Sequence, residues 1–136
     1  MTSTHTRIVM SFSALVLAIL GLAATFAPQE LLTHFGGNGD RYSVLMVQVF
    51  GAAYIGFAML NWMARENLIG GIYSRPVAMG NFLHFTVAGL ALLRFVVVGA
   101  VRSPDTIITA IVYCVLAVWF GAVVFTSPGT GPSNLN

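Results

Sequence analysis

Lysine is absent from this chain, and charged residues make up only 7% of its 136 positions, six of them Arg. A soluble domain carries about 25% charged residues, so a surface facing water all round cannot be built from this composition. The net charge of +2 is small and scattered, which excludes a nucleic-acid surface. Cysteine occurs once, as Cys114 within an apolar run. A single Cys excludes an intramolecular disulfide and any Cys-ligated cluster, and Cys114 reads as a packed core thiol. Acids are missing from every long apolar run: Glu30, Asp40, Glu66 and Asp105 all flank them. That excludes the continuous chain of intramembrane acids expected of a proton-driven pump. Paired carboxylates, metal-ligand clusters and nucleophile–base pairs are also lacking. No catalytic residue, metal or cofactor is therefore assigned, and the balance is against an enzyme.

What the chain has in abundance is apolar length. Hydrophobic residues make up 57% of it, arranged in four runs that each reach the ~20 residues a membrane-crossing helix needs. The runs predict spans at about 7–27, 42–64, 75–101 and 104–126, forming one all-α domain over 1–126. The expected architecture is an integral membrane four-helix bundle, up-down-up-down, with membrane lipid as its surroundings. Residues 127–136, rich in Pro, Gly and Ser, read as a flexible tail. The first run resembles a signal peptide, but Pro28 would follow the cut and the run exceeds a usual h-region, so it reads as a span. Asp40 suits an N-cap for the second span. Ser74 with Pro76, and Ser103 with Pro104 and Asp105, mark the starts of the third and fourth.

The first loop, 28–41, places Leu31, Leu32 and Phe35 on one helical face and predicts a short interfacial helix. Gly36-Gly37-Asn38-Gly39 then reverses the chain. It is not a phosphate loop, because it lacks the Lys-Ser/Thr ending and the preceding strand. With four spans both termini share a side. Arg7, Arg65 and Arg75 lie on that side and Arg41 and Arg102 on the other, so the positive-inside rule places the termini in the cytoplasm.

The helix faces show a rhythm of three and four residues. Ser11, Ala14, Ala18, Gly21 and Thr25 form a seam of small residues on the first span, the kind of surface that lets helix backbones approach in lipid. Gly51, Tyr54, Ala58, Asn61 and Arg65 follow on the second. Val77, Asn81, His84, Ala88, Ala91 and Phe95 follow on the third, and Thr106, Ala110, Tyr113 and Ala117 on the fourth. The shared period implies a left-handed bundle with crossings near ~20°.

Counting ~1.5 Å per residue from the helix ends sorts the intramembrane polar groups into two layers. An inner layer holds Asn61, Asn81 and His84, with Tyr54 above it. An outer layer holds Gln48, Arg94 and Tyr113. Each layer has two readings. The inner one either fixes helix packing by interhelical hydrogen bonds or forms a small pocket with His84 as a ligand contact. Arg94 either snorkels to the headgroups or binds an anionic ligand group beside Gln48 and Tyr113. These seven residues are the candidate ligand-binding set.

The first half of the chain resembles the DoxX-like group of small bacterial membrane proteins. The likeness is carried by Phe26-Ala27-Pro28-Gln29-Glu30-Leu31-Leu32 after the first span. It continues in the Gly/Ala-rich Gly51-Ala52-Ala53-Tyr54-Ile55-Gly56-Phe57-Ala58 and ends in Leu60-Asn61-Trp62-Met63-Ala64-Arg65. The resemblance implies a bacterial cytoplasmic membrane and, for some members, quinone-linked oxidation. Three functions follow. The leading one is a non-catalytic subunit that packs with itself or with a larger membrane complex. The second is binding or transport of a small amphipathic or anionic molecule, such as a quinone, isoprenoid or lipid. The third, implied by the resemblance alone, is a membrane subunit of a quinone-linked oxidoreductase.

Overall fold

The structure, a computed structural model, describes residues 3–66, 75–99 and 103–126. Its elements are five α-helices: α1 Ser3–Phe26, α2 Pro28–His34, α3 Arg41–Ala64, α4 Arg75–Val98 and α5 Pro104–Thr126. The four long helices are each long and apolar enough to cross a membrane. Their outer faces are largely apolar. Ile19, Phe26, Val87, Val97, Ile108 and Val118 are each more than half exposed, a surface tolerable in lipid and not in water.

Local chemistry sets the helix ends. Ala27 breaks α1 from α2, and Pro28 opens α2 at a position where its missing N–H costs nothing. Gly36, at φ +73°, supplies the left-handed turn after α2. Asp40 caps α3: its carboxylate accepts from the backbone N–H of Tyr42 at 3.0 Å and of Ser43 at 3.1 Å, and also from the Ser43 hydroxyl. Those bonds, the Ser43 hydroxyl first, hold the Asp40 carboxyl below its usual range. The third span ends earlier than the expected 75–101. Helix α4 stops at Val98, where Gly99 turns left-handed at φ +78°. Residues 100–101, the Ser74 cap and the 127–136 tail lie outside the described residues.

The four long helices pack as two antiparallel hairpins. In the first, α1 and α3 meet at Gly21 and Gly51. A Cβ on Gly51 would stand 2.6 Å from Thr25 Oγ1 and 2.9 Å from the Gly21 carbonyl oxygen. One on Gly21 would stand 2.9 Å from the Gly51 carbonyl oxygen. Only glycine permits that approach. In the second hairpin, Gly89 of α4 lies against Tyr113 of α5, and Phe85 stacks on Phe120 with centroids 5.7 Å apart. The hairpins meet each other through side chains, with few close backbone approaches between α3 and α4. Met10, Leu17, Phe85, Tyr113, Leu116 and Phe120 form the shared core.

Candidate functional site

At the end of the bundle that carries both termini, a polar clasp joins the hairpins. Asn61 of α3 and Asn81 of α4 exchange amide hydrogen bonds: Asn61 Nδ2 donates to Asn81 Oδ1 at 2.7 Å, and Asn81 Nδ2 donates to Asn61 Oδ1 at 2.6 Å. Asn61 Nδ2 also donates to Ser13 Oγ of α1 at 3.0 Å, and Asn81 Nδ2 to the Val77 carbonyl at 2.8 Å. Ser13 in turn donates to the Met10 carbonyl. All three side chains are fully buried, and every amide hydrogen-bonding group in the pair is used. An unpaired amide in hydrocarbon would be costly. The clasp therefore fixes which helices meet and in what register.

His84 lies between this clasp and the opposite end of the bundle. Its ring stacks on Phe57 at 5.2 Å and meets Tyr54 at 5.3 Å, Phe85 at 5.1 Å and Tyr113 at 5.8 Å. Its Nε2 is buried without a hydrogen-bond partner among the described residues. The imidazole is thus wedged among rings, behind two tyrosines.

Beyond those tyrosines the hairpins part around a cavity of about 590 Å³. Tyr54 and Tyr113 line one end of it. Leu20 and Ala24 of α1 supply one wall, and Ala88, Ala91, Leu92 and Phe95 of α4 another. Asp105, Thr106 and Thr109 come from the first turns of α5. Helix α2 contributes Leu31 and Phe35. Two of the three apolar residues expected on its face thus border the cavity. One hydrogen bond ties α2 to α5: His34 Nε2 and Asp105 Oδ2 are 2.8 Å apart. The threonine hydroxyls are occupied locally, Thr106 with Ser103 at 2.7 Å and Thr109 with the Asp105 carbonyl at 2.8 Å. What remains is an apolar chamber with polar groups at its two ends, within the ~300–1,000 Å³ of small-molecule sites.

The seven candidate residues separate into three places. Asn61 and Asn81 form the clasp, and their hydrogen bonds are spent on helix packing. Tyr54 and Tyr113 line the cavity, with His84 behind them. Gln48 and Arg94 stand apart. Gln48 is exposed on α3, its Nε2 3.4 Å from the Thr25 carbonyl oxygen. Arg94 is exposed on α4 and is not among the residues lining the cavity. It lies one turn, ~6 Å, before the helix end, within reach of the headgroups. Gln48, Arg94 and Tyr113 therefore do not converge.

Four residues that matter were not singled out as ligand contacts from sequence. Ser13 lies off the Ser11–Thr25 seam, but a Met10, Ser13, Leu17, Leu20, Ala24 stripe marks its face. His34 and Asp105 are 71 residues apart and carry no shared local signal, though the four-span topology places both on the same side. Thr106 was read only as a packing position.

No family model, curated protein or solved structure matches this chain.

Proposed function

We propose that this integral membrane protein binds a small amphipathic molecule in the cavity between its hairpins. The observation that carries the proposal is the chamber itself: about 590 Å³, walled by aliphatic and aromatic side chains, with hydroxyls at one end and a carboxylate at the other. An apolar cleft of that size between the hairpins offers a lipophilic occupant dispersion contacts on several sides. The occupant's apolar body would lie along Leu92 and Leu20, and its polar group would meet Asp105 or the tyrosine pair. Residues of all five helices line the chamber, so binding would also brace the two hairpins.

The reading as a non-catalytic subunit rests on the lack of paired carboxylates, metal-ligand clusters and nucleophile–base pairs, with the small-residue seam of the first span as a surface for a partner. In the structure Gly21 and Thr25 of that seam pack on α3. We place the protein in a bacterial cytoplasmic membrane with both termini inside, on the resemblance and on the arginine balance of the two ends.

The test is extraction. Protein purified in mild detergent is stripped with organic solvent and its small molecules are identified by mass spectrometry, beside an Ala88→Trp variant that fills the chamber. The wild type should yield an amphiphile in near-stoichiometric amount that the variant lacks. Equal extracts from two folded proteins would remove the proposal.

A further inference from the structure

Among the described residues that line the cavity, the one charged group is a carboxylate, Asp105. Its side chain is exposed at the cavity end nearest α2, and His34 meets it at one oxygen, Oδ2. A carboxylate offers about four acceptor positions, so capacity for a second partner remains. Aromatic rings share the lining with it: Phe35 and Phe95, with Tyr54 and Tyr113 at the far end. Aromatic faces carry negative charge density and attract cations, most strongly where water is excluded. An anion would find little here. The hydroxyls of Thr106 and Thr109 are engaged within their own helix end, and Arg94 is exposed away from the lining.

We infer that the occupant of the cavity is a lipophilic cation, an apolar body bearing an ammonium or delocalised positive charge that faces Asp105. This rests on the reading of the cavity as a ligand site and adds the charge of what it holds. The positive group takes the free acceptor capacity of the carboxylate, and the apolar body fills the space between Leu92 and the tyrosine pair.

Two ions of matched shape and opposite charge separate the possibilities. Radiolabelled tetraphenylphosphonium and tetraphenylborate are each titrated by equilibrium dialysis against the full-length protein in nanodiscs, with Ala88→Trp nanodiscs as the partitioning background. Saturable binding above that background is expected for the phosphonium and not for the borate. Asp105→Asn should weaken phosphonium binding roughly two- to fivefold, the loss due when an exposed carboxylate no longer faces a cation. Asp105→Glu should retain most of it, and circular dichroism should show both variants equally helical. Saturable binding of both ions with equal affinity, unchanged by Asp105→Asn, overturns the cation assignment and leaves the cavity reading standing. Binding of neither ion above the Ala88→Trp background overturns the assignment and the cavity reading together.

Discussion

Asn61 and Asn81 show what a single buried amide does in this fold. Each amide completes the other, and Ser13 and the Val77 carbonyl take the remaining donors. Replacing Asn61 with Leu strands the Asn81 amide, at a cost of about 1–3 kcal/mol for an unpaired buried group. The double change Asn61→Leu with Asn81→Leu removes both halves and should recover most of that loss. Reversible unfolding of the four proteins in a double-mutant cycle checks this, and a double variant as unstable as the sum of the singles would count against a mutual pair. Asp40 is a second residue with a measurable signature. Its carboxyl is held below the usual 3.8 by the Ser43 hydroxyl and the cap N–H groups. A depressed folded value means that the cap contributes above the unfolded value and is lost as pH falls through the folded one. Amide exchange at Tyr42 and Ser43, corrected for intrinsic rates, should therefore rise only below about pH 4. Asp40→Asn should abolish that acid dependence. These residue-scale features were legible in different degrees. Asp40 announces itself by type and position, and Asn61 and Asn81 by being amides inside apolar runs. That the two amides share a layer and can bond between helices was legible; that they bond each other and leave His84 out was not, because that depends on the rotation of α3 against α4.

At the scale of elements, the number of helices and most of their ends follow from apolar run length and from Pro, Gly and Asp at the junctions. Gly99 sets the exception at the end of α4. Faces were harder to assign. The fully buried residues of α4 are Ala78, Asn81, Phe85 and Gly89, a stripe rotated from the expected Asn81, His84, Ala88 and Ala91. The rotation arises because α4 packs against α5 through Gly89 and Phe85. Of the expected stripe, Ala88 and Ala91, with their small side chains, border the parted end instead. Composition does not show that a helix has one neighbour at close range and another at long range. The Gly21–Gly51 crossing is the sharpest element-scale commitment. Gly51→Leu would drive a side chain into the backbone of α1, where even a Cβ has no room. Overpacking of that kind costs about 1–3 kcal/mol. Gly56 has open space at the same point on its own helix, so Gly56→Leu should leave stability unchanged in the same unfolding assay. Equal effects at the two glycines would contradict the close crossing.

For the whole molecule, the arrangement is a bundle held shut at one end and parted at the other. Three features produce it. Glycine contacts draw α1 to α3 and α4 to α5, the Ser13–Asn61–Asn81 clasp binds the hairpins at the end with the termini, and aromatic bulk around His84 and Tyr113 props them at mid-depth. The cavity is the geometric consequence, and α2, tied to α5 by His34 and Asp105, brings Leu31 and Phe35 to it. Little of this could be read beforehand, since a chamber is set by helix tilt and by which of two faces each polar residue takes. The most direct measurement is to ask where an amphiphile goes. A diazirine-bearing amphiphile is incorporated with the protein into nanodiscs, photolysed, and mapped by peptide sequencing. Labelling should concentrate on Ala88, Leu92, Thr109 and Tyr113, saturate with dose, and fall on addition of excess unlabelled amphiphile. Labelling that spreads over the outward residues Val87, Ile108 and Val118 and grows linearly without saturation would contradict a ligand site between the hairpins.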